Sequence, residues 1–134
     1  MRGDTQSVTI EAPVDQVFEM IADPGQLPDW AIGFAQSVTA GPDGRWSVRT
    51  PSGEVGLMVD SDRARGTIDF HMEPAPGVTI VAWSRVVGDD RCSQFSFTQM
   101  QAPGMPDGVF DAQVEALRHE LVVLKARMEV RCPA

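Results

Sequence analysis

Residues 7–34, SVTIEAPVDQVFEMIADPGQLPDWAIGF, contain the pattern that decides the fold. An alternating strand over residues 7–12 runs into Pro13, which suits a first helical position because its missing N–H would be unpaired there anyway. Apolar residues then recur at the spacing of one helical face, at Val14, Val17, Phe18 and Ile21. Asp23-Pro24-Gly25 ends this helix, and Leu27-Pro28-Asp29-Trp30 begins a second small one. The segment therefore predicts a strand followed by two short helices.

Turn signals at short, regular spacing divide the middle of the chain into six further strands. The predicted strands cover residues 36–40, 45–50, 54–60, 67–73, 78–87 and 91–100. Their connections are too short for a parallel crossover, which needs about a dozen residues, so neighbouring strands must be antiparallel. With residues 7–12 as an additional strand, the sequence predicts a seven-stranded antiparallel sheet.

The last quarter of the chain predicts one long helix over residues 107–129, with Asp107 as its N-cap. Its apolar stripe consists of Phe110, Val114, Leu117, Leu121, Leu124 and Met128. Its predicted solvent side consists of Glu115, Arg118, Glu120, Lys125 and Arg127. A long helix with one apolar face must pack on a sheet or on a partner. We therefore expect a single α+β domain over residues 1–134, in which this helix lies across the concave side of the sheet.

Composition and charge exclude several classes of function. The chain of 134 residues carries 19 acidic and 11 basic side chains, a formal charge of −8, so a nucleic-acid partner is not expected. No apolar run approaches the roughly 20 residues that span a bilayer, and the N-terminus lacks a signal peptide's apolar core. These features predict a cytoplasmic protein without membrane insertion, in which Cys92 and Cys132 are free thiols. The His and Cys residues show no paired ligand spacing, and there is no phosphate-binding loop, so neither metal nor cofactor is predicted.

Several segments, taken in order, resemble a known family. They are residues 8–18 (VTIEAPVDQVF), 21–24 (IADP), Trp30, 66–69 (GTID), 85–87 (RVV), 97–98 (FT) and 103–105 (PGM). The chain resembles the START-like superfamily, also called SRPBCC or helix-grip, and within it the polyketide-cyclase/dehydrase-like bacterial branch. This resemblance implies a curved seven-stranded sheet around the C-terminal helix with a cavity between them. It also implies binding of lipids, sterols, hormones or polyketides, and in some members cyclisation, dehydration or hydrolysis.

One predicted strand pair offers candidate chemistry. Asp69 and His71 share one face of a strand and could form a general acid–base pair. The other face of that strand, which includes Ile68 and Phe70, is apolar, so Asp69 and His71 can also lie on the solvent side. A hairpin register that pairs Asp69 with Trp83 would join both residues to Trp83 and Arg85 in an amphipathic group that suits a pocket.

The expected function is binding of a small hydrophobic, aromatic or amphipathic ligand in the cavity. Besides Trp83 and Arg85, the predicted ligand-binding residues are Trp30, Phe34, Trp46, Met58, Phe97 and Leu117. Two alternatives stay open. One is a cyclase or dehydratase that uses His71 and Asp69, although no complete catalytic set is visible. The other is a protein-interaction module, or a homodimer, formed through an exposed sheet face that carries Trp83.

Overall fold

The computed structural model describes residues 1–131 and shows an α+β helix-grip fold. The strands are β1 (Gly3–Ile10), β2 (Ser37–Ala40), β3 (Trp46–Thr50), β4 (Gly53–Asp62), β5 (Thr67–Ala75), β6 (Val78–Gly88) and β7 (Ser93–Met100). The helices are α1 (Val14–Ala22), α2 (Leu27–Trp30) and α3 (Asp107–Arg131), with short 3-10 turns at Pro24–Gln26 and Pro42–Gly44. The predicted fold class, the two short helices after the first strand and the long C-terminal helix are confirmed.

The seven strands form one antiparallel sheet in the order β1-β7-β6-β5-β4-β3-β2. Strands β2 to β7 follow one another as hairpins, and β1 completes the sheet beside β7, where Gly3 pairs with Met100 and Ile10 with Ser93. The predicted register between β5 and β6 is confirmed, since Asp69 lies opposite Trp83. Strand β1 begins at Gly3, earlier than predicted, because β7 offers it a pairing partner as far as Met100.

Alternation along the strands separates a buried inner face from an outer face. The inner face carries the core residues Val48, Leu57, Ile68, Phe70, Ala82, Val86 and Phe95. Helix α3 packs on this face with Leu117, Leu121, Leu124 and Met128, all at most 4% exposed. The predicted apolar stripe of the helix is thus the face that the concave side of the sheet covers.

Two polar contacts fix α3 and β7 to the N-terminal part of the chain. The Lys125 ammonium donates to the Thr9 carbonyl at 2.8 Å, which joins α3 to β1. The buried Ser93 hydroxyl donates to the Ala12 carbonyl at 2.7 Å, where the chain passes from β1 to α1. Pro13 precedes α1 as its N-cap instead of being its first residue.

Two sequence expectations concern features outside the core. Within residues 1–131, no helix is long and apolar enough to cross a membrane. Cys92 is a free, exposed thiol. Cys132 lies outside the described residues, so the expectation of two free thiols stays a prediction.

Candidate ligand-binding site

Aromatic rings form a continuous apolar wall on the inner face of the sheet. Trp30, at the end of α2, meets Phe95 edge to face with the ring centroids 6.2 Å apart. Phe95 in turn lies 6.3 Å from Phe97, and Phe97 lies 5.9 Å from Phe70. Such pairs add about 0.5–1.5 kcal/mol each beyond the area that they bury. These contacts join the four rings into one continuous layer of the core on the inner face of the sheet.

The indole N–H of Trp30 is buried without a hydrogen-bond acceptor in the described part of the chain. Trp30 is 2% exposed, so bulk solvent does not reach this group. A buried donor without an acceptor costs about 1–3 kcal/mol, and proteins rarely keep one without a reason. This N–H is the polar atom of the inner face that most needs a partner.

Five of the predicted ligand-binding residues lie on the inner side of the sheet. Trp30 and Leu117 belong to the buried core, whereas Phe34, Trp46 and Phe97 are half-buried around it. Trp46 faces inward because it lies opposite the buried Leu57 in the β3–β4 pair. The half-buried aromatic residues leave part of the inner face in contact with solvent.

The predicted group of Asp69, His71, Trp83 and Arg85 is brought together by the confirmed register, but on the outer face of the sheet. Ile68, 0% exposed, and the buried Phe70 fill the inner face of β5, so strand alternation turns Asp69 and His71 away from α3. On β6, Trp83 is 46% exposed and Arg85 is also exposed. Of the two placements that the sequence left open for Asp69 and His71, the structure shows the solvent-facing one, because the larger apolar area lies on the opposite faces of both strands. The prediction that Trp83 and Arg85 line an interior pocket is wrong for the same reason.

Met58 also lies on the outer face, where it is 40% exposed and opposite His71. The reason is the β3–β4 register, which turns Leu57 inward and hence its neighbour outward. The prediction that Met58 faces the pocket is wrong.

Glu120 is a further titratable residue that the sequence prediction placed on the wrong side. It was expected on the solvent side of α3, but it is 7% exposed and accepts the N–H of Gly33 at 3.0 Å. Burial raises the pKa of its carboxyl to about 7, although backbone N–H groups of Gly33 and Phe34 act in the opposite direction. Gly33 makes room for this contact, since a Cβ there would lie 3.3 Å from both Ala116 and the Glu120 carboxylate. The sequence signals for this burial were Gly33 in the loop after α2 and the small Ala116 one helical turn before Glu120.

Two open depressions flank the core, and neither lies between the sheet and the centre of α3. One, of about 520 Å³, lies beside α1 and is lined by Phe18, Glu19, Ala22, Asp23, Ser61 and Arg63. The other, of about 410 Å³, lies between the first two helices and the end of α3 and is lined by Met20, Asp29, Val123, Ala126, Arg127 and Val130. Buried core side chains fill the space between the aromatic wall and α3. A ligand can therefore enter this space only if some of these side chains move.

Comparison with protein families gives one match that spans nearly the whole chain. The family described as polyketide cyclase/dehydrase and lipid transport matches residues 3–129. The chain belongs to this family. That membership confirms the family resemblance predicted from the sequence. Comparison with curated proteins gives no significant match.

Several solved structures have the same fold as this member of the polyketide cyclase/dehydrase family, and some of them are aromatase/cyclases. The di-domain ARO/CYC BexL from the BE-7585A biosynthetic pathway matches with a TM-score of 0.76 at 19% identity. That match covers 96% of this chain but 47% of BexL, so the chain spans about half of BexL's length. ZhuI aromatase/cyclase from Streptomyces sp. R1128 matches with a TM-score of 0.73 at 24% identity, over 97% of this chain and 94% of ZhuI. The Aha1 dimer from Colwellia psychrerythraea matches with a TM-score of 0.72 at 13% identity, over 97% and 98% of the two chains. At these identities the likeness shows a shared fold.

Proposed function

We propose that the protein binds a small, mainly apolar molecule that carries at least one hydrogen-bond acceptor, against the aromatic wall under α3. The observation that carries this proposal is the buried indole N–H of Trp30, which has no acceptor among the described residues. An oxygen of a bound ligand would satisfy this donor, and the flat rings of Phe95 and Phe97 would pack on its apolar part.

The chemistry of the wall favours an aromatic or polyketide-like ligand over a fully saturated one. Ring stacking and edge-to-face contacts favour flat π-systems. A carbonyl or hydroxyl oxygen on such a system can accept a hydrogen bond from an indole N–H. The family description and the aromatase/cyclase neighbours are consistent with this class of ligand. A lipid with a single polar group is the second class that these contacts could hold.

Binding is proposed here in preference to catalysis. An enzyme that used Asp69 and His71 would have to work on the outer face, on the opposite side of the sheet from the aromatic wall. A molecule held against Phe95 would therefore not reach these two groups. The proposed ligand-binding face and the predicted acid–base pair therefore do not form one active site.

A second candidate function is protein interaction through the outer face. The exposure of Trp83 and Met58, 46% and 40%, favours it, because large apolar side chains of this kind are common in interfaces. The two candidates use opposite faces of the sheet, so single substitutions can separate them.

Native mass spectrometry of the purified protein, followed by titration with a naphthol or a naphthoic acid, tests the binding proposal. Trp30→Phe removes the buried N–H and keeps an aromatic ring, and Trp83→Phe is the matched substitution on the outer face. We expect affinity for the naphthol to fall about 10-fold in Trp30→Phe, the value of one lost hydrogen bond of about 1.4 kcal/mol, and to stay unchanged in Trp83→Phe.

Equal affinities in the two variants would contradict the role of Trp30. No naphthol binding to the parent protein, together with a change of oligomeric state in Trp83→Phe, would favour the interaction function instead. Oligomeric state is read from sedimentation velocity over a range of protein concentrations, with circular dichroism as the check that each variant is folded.

A further inference from the structure

Three potential metal ligands converge on the outer face of the sheet, on the side away from the proposed ligand. Asp60 on β4 lies directly opposite Asp69 on β5, and His71 follows two residues later on the same face of β5. One ligand atom from each side chain, two carboxylate oxygens and an imidazole nitrogen, lies within 4.8 Å of the others. The Asp60–Asp69 pairing is set by the backbone register, so these groups are held together by the sheet itself.

The three side chains have no other partner within residues 1–130, whose side chains the structure describes. None of them makes a hydrogen bond or ion pair there, although Asp69 and His71 are half-buried. Two carboxylates directly opposite each other on adjacent strands repel, which destabilises the pair unless a cation lies between them.

The arginines of this region are engaged elsewhere. Arg65 pairs with Asp62, and the Arg85 guanidinium donates to the Arg65 carbonyl at 3.1 Å. Arg63 pairs with Asp15 and Glu19 on α1. No arginine or lysine among residues 1–130 pairs with Asp60 or Asp69, so the side chains that the structure describes do not supply a cation to these carboxylates.

We propose that Asp60, Asp69 and His71 form a binding site for a divalent first-row transition metal ion such as Zn²⁺ or Ni²⁺. The mixed set of one imidazole and two carboxylates suits these borderline ions better than Ca²⁺ or Mg²⁺, which take oxygen ligands. Three protein ligands leave coordination positions for water, so the site is open to solvent. This inference does not rest on the proposed ligand binding, because the two sites lie on opposite faces of the sheet.

Trp83 provides a direct optical probe of this site. It lies opposite Asp69 in the β5–β6 register and is 46% exposed, whereas Trp30 is buried and Trp46 faces inward. A Ni²⁺ ion bound beside Asp69 is expected to quench Trp83 emission, since paramagnetic ions quench nearby indoles. The Trp83→Phe variant identifies which part of the signal comes from this residue.

The experiment titrates Ni²⁺ into protein in which Cys92 and Cys132 are both replaced by Ser, so that thiols do not bind the metal. We expect saturable quenching that competes with Zn²⁺, and a loss of affinity of about 10-fold or more in His71→Ala and in Asp69→Asn. The matched control is His119→Ala, which removes the other histidine of the chain, an exposed residue on α3, and should leave the titration unchanged.

A thermal melt with and without Zn²⁺ provides an independent measurement. A metal that binds only the folded state raises Tm, and the rise should disappear in His71→Ala but persist in His119→Ala. No saturation by Ni²⁺ up to millimolar concentration would overturn the proposal. Equal affinities in His71→Ala and the parent protein would also overturn it, and circular dichroism of each variant excludes loss of fold as the cause.

Discussion

Replacing Glu120 by Gln is expected to make the stability of the protein less sensitive to pH. Burial raises the pKa of this carboxyl from its ordinary 4.5 to about 7 in the folded state. At about 1.36 kcal/mol per pKa unit, this difference corresponds to about 3 kcal/mol of folding free energy. The protonated carboxyl is the form that the folded state prefers, because burial penalises its charge.

The direction of the effect follows from the two pKa values. The contribution of Glu120 to stability is fully present below pH 4.5, where the carboxyl is protonated in both states, and is lost as the pH rises to about 7. In Glu120→Gln the side chain stays neutral throughout, and its amide oxygen can still accept the N–H of Gly33. The variant should therefore gain about 3 kcal/mol relative to the parent protein between pH 4.5 and pH 7, with little further change above that range.

Urea denaturation at a series of pH values from 4 to 8 measures this difference directly. The tested quantity is how the difference in unfolding free energy between Glu120→Gln and the parent protein changes with pH. A destabilisation by the amide that is the same at every pH therefore does not affect the result. Glu115→Gln is the matched control, because Glu115 is on the same helix with its side chain 67% exposed. A difference between Glu120→Gln and the parent that stays constant across this pH range would refute the assignment of a buried, pKa-shifted carboxyl.

Two further substitutions test the fold itself. Leu117→Asp should lower the free energy of unfolding by about 3–5 kcal/mol, because it places a carboxylate in the core. Val122→Asp, on the exposed side of α3, is the control and should be nearly neutral in the same thermal melts. Equal melting temperatures of the two variants would contradict the packing of α3. Gly66→Ala should destabilise severely, since the Cβ would lie 2.1 Å from the Val86 carbonyl oxygen at a φ of +74°. Gly44→Ala, at a φ of +73° with open space around it, should cost about 1–2 kcal/mol; similar urea midpoints for the two variants would show that this close approach does not exist.

The architecture was predictable because local signals and chain length left few alternatives. Turn residues at short spacing required antiparallel hairpins, and the apolar stripe from Phe110 to Met128 required a long helix packed on the sheet. The register that places Asp69 opposite Trp83 was proposed from turn length, but it also depends on a bulge between Met72 and Ala75 that the sequence did not indicate. The orientation of that face was not predictable in the same way. The size of Trp83 argued for burial, but the combined apolar area of Ile68, Phe70 and their neighbours on β6 decided the outcome.

The contacts of the site depend on tertiary neighbours that periodicity does not reveal. Glu120 lies at the border of the apolar stripe of α3, and only the approach of the loop at Gly33 makes it buried. The missing acceptor of Trp30 is likewise a property of the assembled core. Asp60 joins Asp69 and His71 only through the pairing of β4 with β5, so the spacing of residues along one strand could not indicate it.

The position of β1 beside β7 has a consequence for the order in which the protein can fold during synthesis. Strand β1 leaves the ribosome before the other six strands, but its partner is β7, about ninety residues later in the chain. Strands β2 to β6 can pair as hairpins while they emerge, yet their apolar inner face has no cover until α3 has been made. A nascent chain that ends before residue 107 therefore exposes that apolar face, and chaperone binding or aggregation would compete with folding during this interval.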